Sequence, residues 1–211
     1  MGVFIEILIL YIILFLSGSA GVPKGLVGFS FTAELSRLFM YNIPSLALIW
    51  YLLLKRKGLK DWGIRAPGKN DLLSGLLSLP GLLVIGFVIN YITSQFNGMP
   101  ESAGLYPPSS VPGWIILSIS CISTGYLEES FFRFYILSRR EELKLSNTAA
   151  ILISTAAFSA CHIYEGPWGF LNSFLAGILL CFIFLRYRSL HGIAIAHGLY
   201  NIAAFVISAV F

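Results

Sequence analysis

Charge is what this sequence has least of. Only 11% of its 211 residues are Asp, Glu, Lys or Arg, against roughly 25% in an ordinary soluble domain. That shortage, beside 57% hydrophobic residues, excludes a water-soluble globule. Period-2 alternation is missing too, which excludes barrel strands. Internal repeats, low-complexity tracts and a soluble accessory domain are likewise missing. The three cysteines, Cys121, Cys161 and Cys181, all sit in apolar runs at no metal-ligand spacing. They read as small packing residues.

What is present is a series of apolar runs near 3–20, 35–54, 72–93, 113–137, 147–164, 169–187 and 190–211. About 20 apolar residues cross a hydrocarbon core of roughly 30 Å as a helix, and hydrocarbon gives an unpaired backbone no partners. The expected fold is all-α: a polytopic transmembrane helix bundle of about seven spans, with residues 1–211 as a single integral membrane domain. The first run carries Glu6, lacks a basic leader and is followed by no clear cleavage site, so it reads as a retained helix.

The net charge of +4 does not point to nucleic acid, because the basic residues follow the loops. Lys55, Arg56, Lys57, Lys60, Arg65 and Lys69 lie between spans two and three, Arg139, Arg140 and Lys144 between four and five, and Arg186 and Arg188 between six and seven. The alternate loops hold only Lys24 and Arg37, and 94–112 has no basic residue. The positive-inside rule then places the N-terminus in the cytoplasm. Small size and the lack of an organelle signal point to a bacterial or archaeal plasma membrane.

Against this background the stretch YLEESFFRFYIL, 126–137, is anomalous. A charge near the bilayer centre costs about 2.5–3.5 kcal/mol on insertion scales, yet Glu128, Glu129 and Arg133 share one span. Glu129 and Arg133 are i,i+4 neighbours able to form an ion pair, while Glu128 is rotated about 100° away. One carboxylate is thus satisfied and the other is free to act as a general base. Two other spans add polar groups: His162 in TAAFSACHIYEG, and His197 with Asn201, again i,i+4, in HGIAIAHGLYN. Counted from the cytoplasmic edges, Glu128 and Asn201 lie roughly 16 Å deep, His197 roughly 10 Å and His162 roughly 22 Å. His162 is the outlier, which a shift of the span edges by several residues, helix tilt or a break near Gly166 would reconcile. Such a cluster is compatible with hydrolysis, metal binding or proton-coupled transport.

The order EESFFR, FSACH, HGLYN resembles the EExxxR, FxxxH and HxxxN motifs of the CPBP family of intramembrane proteases, which includes the CAAX prenyl endopeptidases of the Ras-converting type and the bacterial Abi proteins. The resemblance covers about 113–205. It implies that Glu128 and His162 activate a water, that His197 and Asn201 stabilise the oxyanion, and that Glu129 and Arg133 organise the site. A neutral His197 and the Asn201 amide are both suited to donate. It also implies a glutamate-type peptidase without a cofactor; zinc is disfavoured, and HExxH is absent. Cys161 and Ser130 are not expected to be nucleophiles.

The implied activity is intramembrane cleavage of a membrane-anchored or lipid-associated peptide reached through the bilayer: CAAX-type processing, a leader peptide or a C-terminal sorting signal. The competing expectation is a non-enzymatic protein, either a proton-coupled transporter or a bacteriocin-immunity or peptide-binding membrane protein. No inverted repeat or broken-helix pair of the transporter kind is evident.

Overall fold

A computed structural model describes residues 2–17, 27–55, 66–95 and 105–210. The described residues form seven helices: α1 Val3–Leu16, α2 Phe31–Leu54, α3 Lys69–Gln95, α4 over 111–138, α5 Asn147–Ala160, α6 Gly166–Tyr187 and α7 Leu190–Val210. The architecture is the all-helical bundle expected from the apolar runs. Besides the helices there is a two-residue parallel pairing, β1 Val27–Gly28 with β2 Leu105–Tyr106, which the sequence pattern does not foreshadow. α2, α3, the helical stretch through α6 and most of α7 are long and apolar enough to cross a membrane. The residues 18–26, 56–65 and 96–104, with most of the first basic loop and much of the Pro- and Ser-containing loop, lie outside the described residues.

Serine starts the helices. The hydroxyls of Ser30, Ser110, Ser146 and Ser189 accept from the backbone N–H three residues on, at 3.4, 3.3, 3.1 and 3.2 Å, the usual N-cap solution for donors that a helix leaves unpaired. α6 stops where Arg188 turns left-handed at φ 50°. The start of α7 is also tied to α3: Ser189 donates to Asp71 Oδ1 at 2.5 Å and shares a 2.8 Å hydrogen bond with Ser74.

The core centres on α4, whose Phe131, Phe132, Phe134 and Tyr135 are fully buried. α1 packs on this aromatic belt through Phe15, stacked 4.8 Å from Phe131. Glu6 of α1 accepts from Tyr135 and, at 2.5 Å, from Arg139. On the other flank, the Asn42 amide of α2 donates to Ser123 Oγ at 2.7 Å and Thr124 Oγ1 at 3.0 Å. These contacts fix the register of α4, which a purely greasy surface would leave free to slide.

α4 and α7 meet at glycines. A Cβ on Gly198 would lie 2.7 Å from Ile122 Cα, and one on Gly125 would lie 2.9 Å from Gly198 N. Glycine inside a helix costs about 1 kcal/mol relative to alanine, and here it permits two backbones to touch. Gly198→Val is therefore expected to lower stability by about 1–3 kcal/mol and to abolish function by pushing His197 away from α4. Thermal unfolding in detergent, compared with Gly198→Ala, measures this, with a smaller loss expected for alanine.

α5 is short. Its 14 residues span about 21 Å, and the run expected as helix over 147–164 ends at Ala160. Beyond it come a turn at Cys161–His162, a 3₁₀ turn at Ile163–Glu165, and Gly166 at φ 82°.

Candidate active site

Three helices converge on one buried polar cluster. α4 supplies Glu128, Glu129 and Arg133; the regular α-helix gives way to π-helix at Ser130–Tyr135. Such single-turn bulges concentrate at functional sites. The i,i+4 pair forms as the spacing predicts: Arg133 Nη1 donates to Glu129 Oε1 at 3.0 Å, and both side chains are fully buried.

α7 closes the network from across the glycine crossing. His197 Nδ1 lies 2.7 Å from the same Glu129 Oε1, and His197 Nε2 lies 3.5 Å from Glu128 Oε2. Glu129 therefore holds an arginine and a histidine together. Glu128 is the more accessible carboxylate, its side chain 16% exposed against 0% for Glu129. The expected difference between a glutamate paired with Arg133 and a more accessible one is present in space.

α5 contributes His162 through the break at its end. In place of regular α-helical closure, Cys161 N–H bonds Phe158 O at 3.2 Å and His162 N–H bonds Ser159 O at 2.9 Å. Outside the helix, the His162 ring folds back so that Nδ1 lies 2.9 Å from Phe158 O. A carbonyl only accepts, so Nδ1 carries the proton and a neutral ring presents a lone pair at Nε2. The helix break, expected near Gly166, falls at Ala160, and His162 stands in the turn beyond it.

Phe158 joins the parts. Its ring lies 4.6 Å from that of His162 and 5.9 Å from that of His197, and the Arg133 guanidinium sits 4.3 Å over its face. That cation–π contact partly replaces water around a buried charge. Room for the guanidinium comes from α6, where a Cβ on Gly177 would stand 3.3 Å from Arg133 Nη2. Asn201 lies one turn beyond His197, half-buried, and makes no hydrogen bond among the described residues.

His197 needs one refinement. With Nδ1–H committed to the Glu129–Arg133 pair, a neutral ring would offer Nε2 only as an acceptor. Donation to a developing oxyanion therefore requires the imidazolium, or falls to the Asn201 amide. Sequence reasoning also passed over Tyr11 of α1, whose hydroxyl donates to Ala157 O at 3.0 Å, satisfying a carbonyl in the last turn of α5. A lone tyrosine in an apolar run carries no signal of this. Gly125 and Gly198 did carry one, as glycines with a helix-interior cost to offset. Cys161 is buried, its thiol on Ala157 O at 3.4 Å, and Ser130 accepts from the Trp50 indole at 3.0 Å; both are engaged in packing.

No curated protein and no solved structure matches the chain significantly. The family comparison matches residues 110–203 to the type II CAAX prenyl endopeptidase Rce1-like family, a segment that runs from the cap of α4 through Asn201 and contains all three motifs. The apolar helices make the chain an integral membrane protein, and its segment 110–203 is similar to the type II CAAX prenyl endopeptidase Rce1-like family, consistent with the CPBP family.

Proposed function

We propose that this protein is a glutamate-type intramembrane endopeptidase that hydrolyses a peptide bond of a membrane-anchored or lipid-associated substrate. CAAX-type processing, a leader peptide and a C-terminal sorting signal are the candidate substrates. The Rce1-like domain supports endopeptidase activity in the membrane generally; the division of labour is our reading of the site. The observation that carries it is the single network of Glu128, Glu129, Arg133 and His197 at 2.7–3.5 Å, with His162 held beside it by Phe158.

Glu128, assisted by the Nε2 lone pair of His162, takes a proton from water as the water oxygen attacks the substrate carbonyl carbon. Negative charge gathers on the carbonyl oxygen, to which the Asn201 amide, and His197 in its imidazolium form, would donate. When the C–N bond breaks, the proton held by Glu128 passes to the leaving amine. Glu129 and Arg133 touch none of the reacting atoms in this scheme; they orient His197.

We assign no metal to this step. Among the described residues no group of three metal-ligating side chains is assembled. We further place the N-terminus on the cytoplasmic side, since Arg139, Arg140 and Lys144 lie between α4 and α5, and Arg186 and Arg188 at the junction of α6 and α7, as the positive-inside rule requires. A bacterial or archaeal plasma membrane suits this chain.

The test is co-expression with tagged membrane-anchored peptides, with fragments read by mass spectrometry for wild type and His162→Ala, each with and without a chelator. A fragment that His162→Ala suppresses by about 10²-fold or more and the chelator spares is the expected result. Binding of a peptide without any fragment would instead make the cluster a receptor or transport pocket. Loss of cleavage with the chelator would put a metal into the step.

A further inference from the structure

At the end of the bundle opposite the α5 break, a groove of about 470 Å³ lies between α5 and α6. Ile151 and Leu152 of α5 and Ile178 and Phe182 of α6 line it. Leu152 and Phe182 are 49% and 59% exposed, so the groove opens outward from the bundle. Its polar residues sit at one end, where Asn147 begins α5 and Arg186 lies in the last turn of α6. From Ile178 to Arg186 the groove runs about 12 Å along the helix, close to the depth of one leaflet of a hydrocarbon core roughly 30 Å thick.

We propose that this groove binds an anionic phospholipid, with one acyl chain along Ile151, Ile178 and Phe182 and the phosphate on Arg186. The order of the lining, apolar along its length and cationic at its end, is that of a lipid in the leaflet on the basic side. Arg186 makes no ion pair among the described residues; its guanidinium rests 5.5 Å from the centre of the Tyr187 ring. The neighbouring arginines are already partnered, Arg140 with Glu141 at 3.0 Å and Arg139 with Glu6 at 2.5 Å, which leaves Arg186 as the cation of the groove lining.

A spanning helix of a partner, or a second copy of this chain, would need an apolar face about twice as long. A groove one leaflet deep fits a chain that starts at the headgroup and ends near the midplane. Basic pockets between transmembrane helices on the cytoplasmic side bind anionic headgroups by the same combination. The site is distinct from the acid–base cluster, and the proposal stands whether or not the protein is a peptidase.

Native mass spectrometry of the full chain in detergent, titrated with phosphatidylglycerol or phosphatidylcholine of identical acyl chains, tests it. Wild type is expected to retain phosphatidylglycerol about fivefold more tightly, from roughly 1 kcal/mol per basic residue near the surface. Arg186→Gln, an exposed change that leaves the core untouched, should bring the two lipids to parity. Ile178→Trp, with thermal unfolding as its folding control, should displace both. Equal retention of the two lipids by wild type, or a preference that Arg186→Gln leaves intact, overturns the proposal. Efficient crosslinking of two copies through Phe182→Cys overturns it in favour of a subunit interface.

Discussion

Glu128→Gln is expected to abolish cleavage, by about 10²–10⁴-fold, the contribution typical of a positioned general base, while the protein folds and inserts as before. The expectation rests on how little the structure asks of this carboxylate. Its one ionic contact among the described residues is His197 Nε2 at 3.5 Å, longer than a normal hydrogen bond. The glutamine keeps the shape and loses only the ability to take a proton. Fragment yield and thermal unfolding, measured on one preparation, separate the two effects. An active Glu128→Gln variant would remove Glu128 from the role of base; an unfolded one would show that the carboxylate is structural.

Arg133→Ala is expected to fail in the opposite way, by unfolding, with a loss of about 3–5 kcal/mol. Glu129 is fully buried and its Oε1 accepts from Arg133 and contacts His197. Removing the guanidinium leaves the buried carboxylate with His197 as its remaining partner and empties the space beneath Phe158. Arg133→Lys should recover part of the stability, since it restores the charge without the planar fork that both pairs with Glu129 and lies on the ring. Chemical or thermal unfolding in a defined detergent gives the ranking. If Arg133→Ala unfolds like wild type, Glu129 is not held as an ionised partner. The two substitutions sit five residues apart on one helix and separate chemistry from architecture.

Much of this was legible from residue order alone because the bilayer makes intramembrane charge expensive. Glu128, Glu129 and Arg133 stood out for that reason, and an i,i+4 spacing is enough to predict which glutamate pairs with the arginine. The bundle was legible from apolar run length. What stayed hidden was long-range or irregular. The π turn at Ser130–Tyr135 sits in an aromatic run that looks the same in any helical register. The glycine crossing of α4 and α7 shows only when both backbones are placed. The commitment of His197 Nδ1 to Glu129 decides which ring nitrogen is available, and no spacing rule relates residues on different helices. The end of α5 lay between these extremes: Gly166 hinted at a break, but the helix stops six residues earlier.

That early stop has a consequence for water. A helix of about 21 Å in a hydrocarbon layer of roughly 30 Å falls short by about 9 Å, and the turn that follows it exposes Tyr164 and Glu165. Lipid cannot stand at full thickness over such an end without stranding polar groups, so the bilayer thins or lets solvent dip toward it, at fractions of a kcal/mol per ångström. His162 lies beside that depression. The hydrolysis proposed above consumes water as a second substrate, and hydrophobic mismatch above α5 would give it a local route to the site.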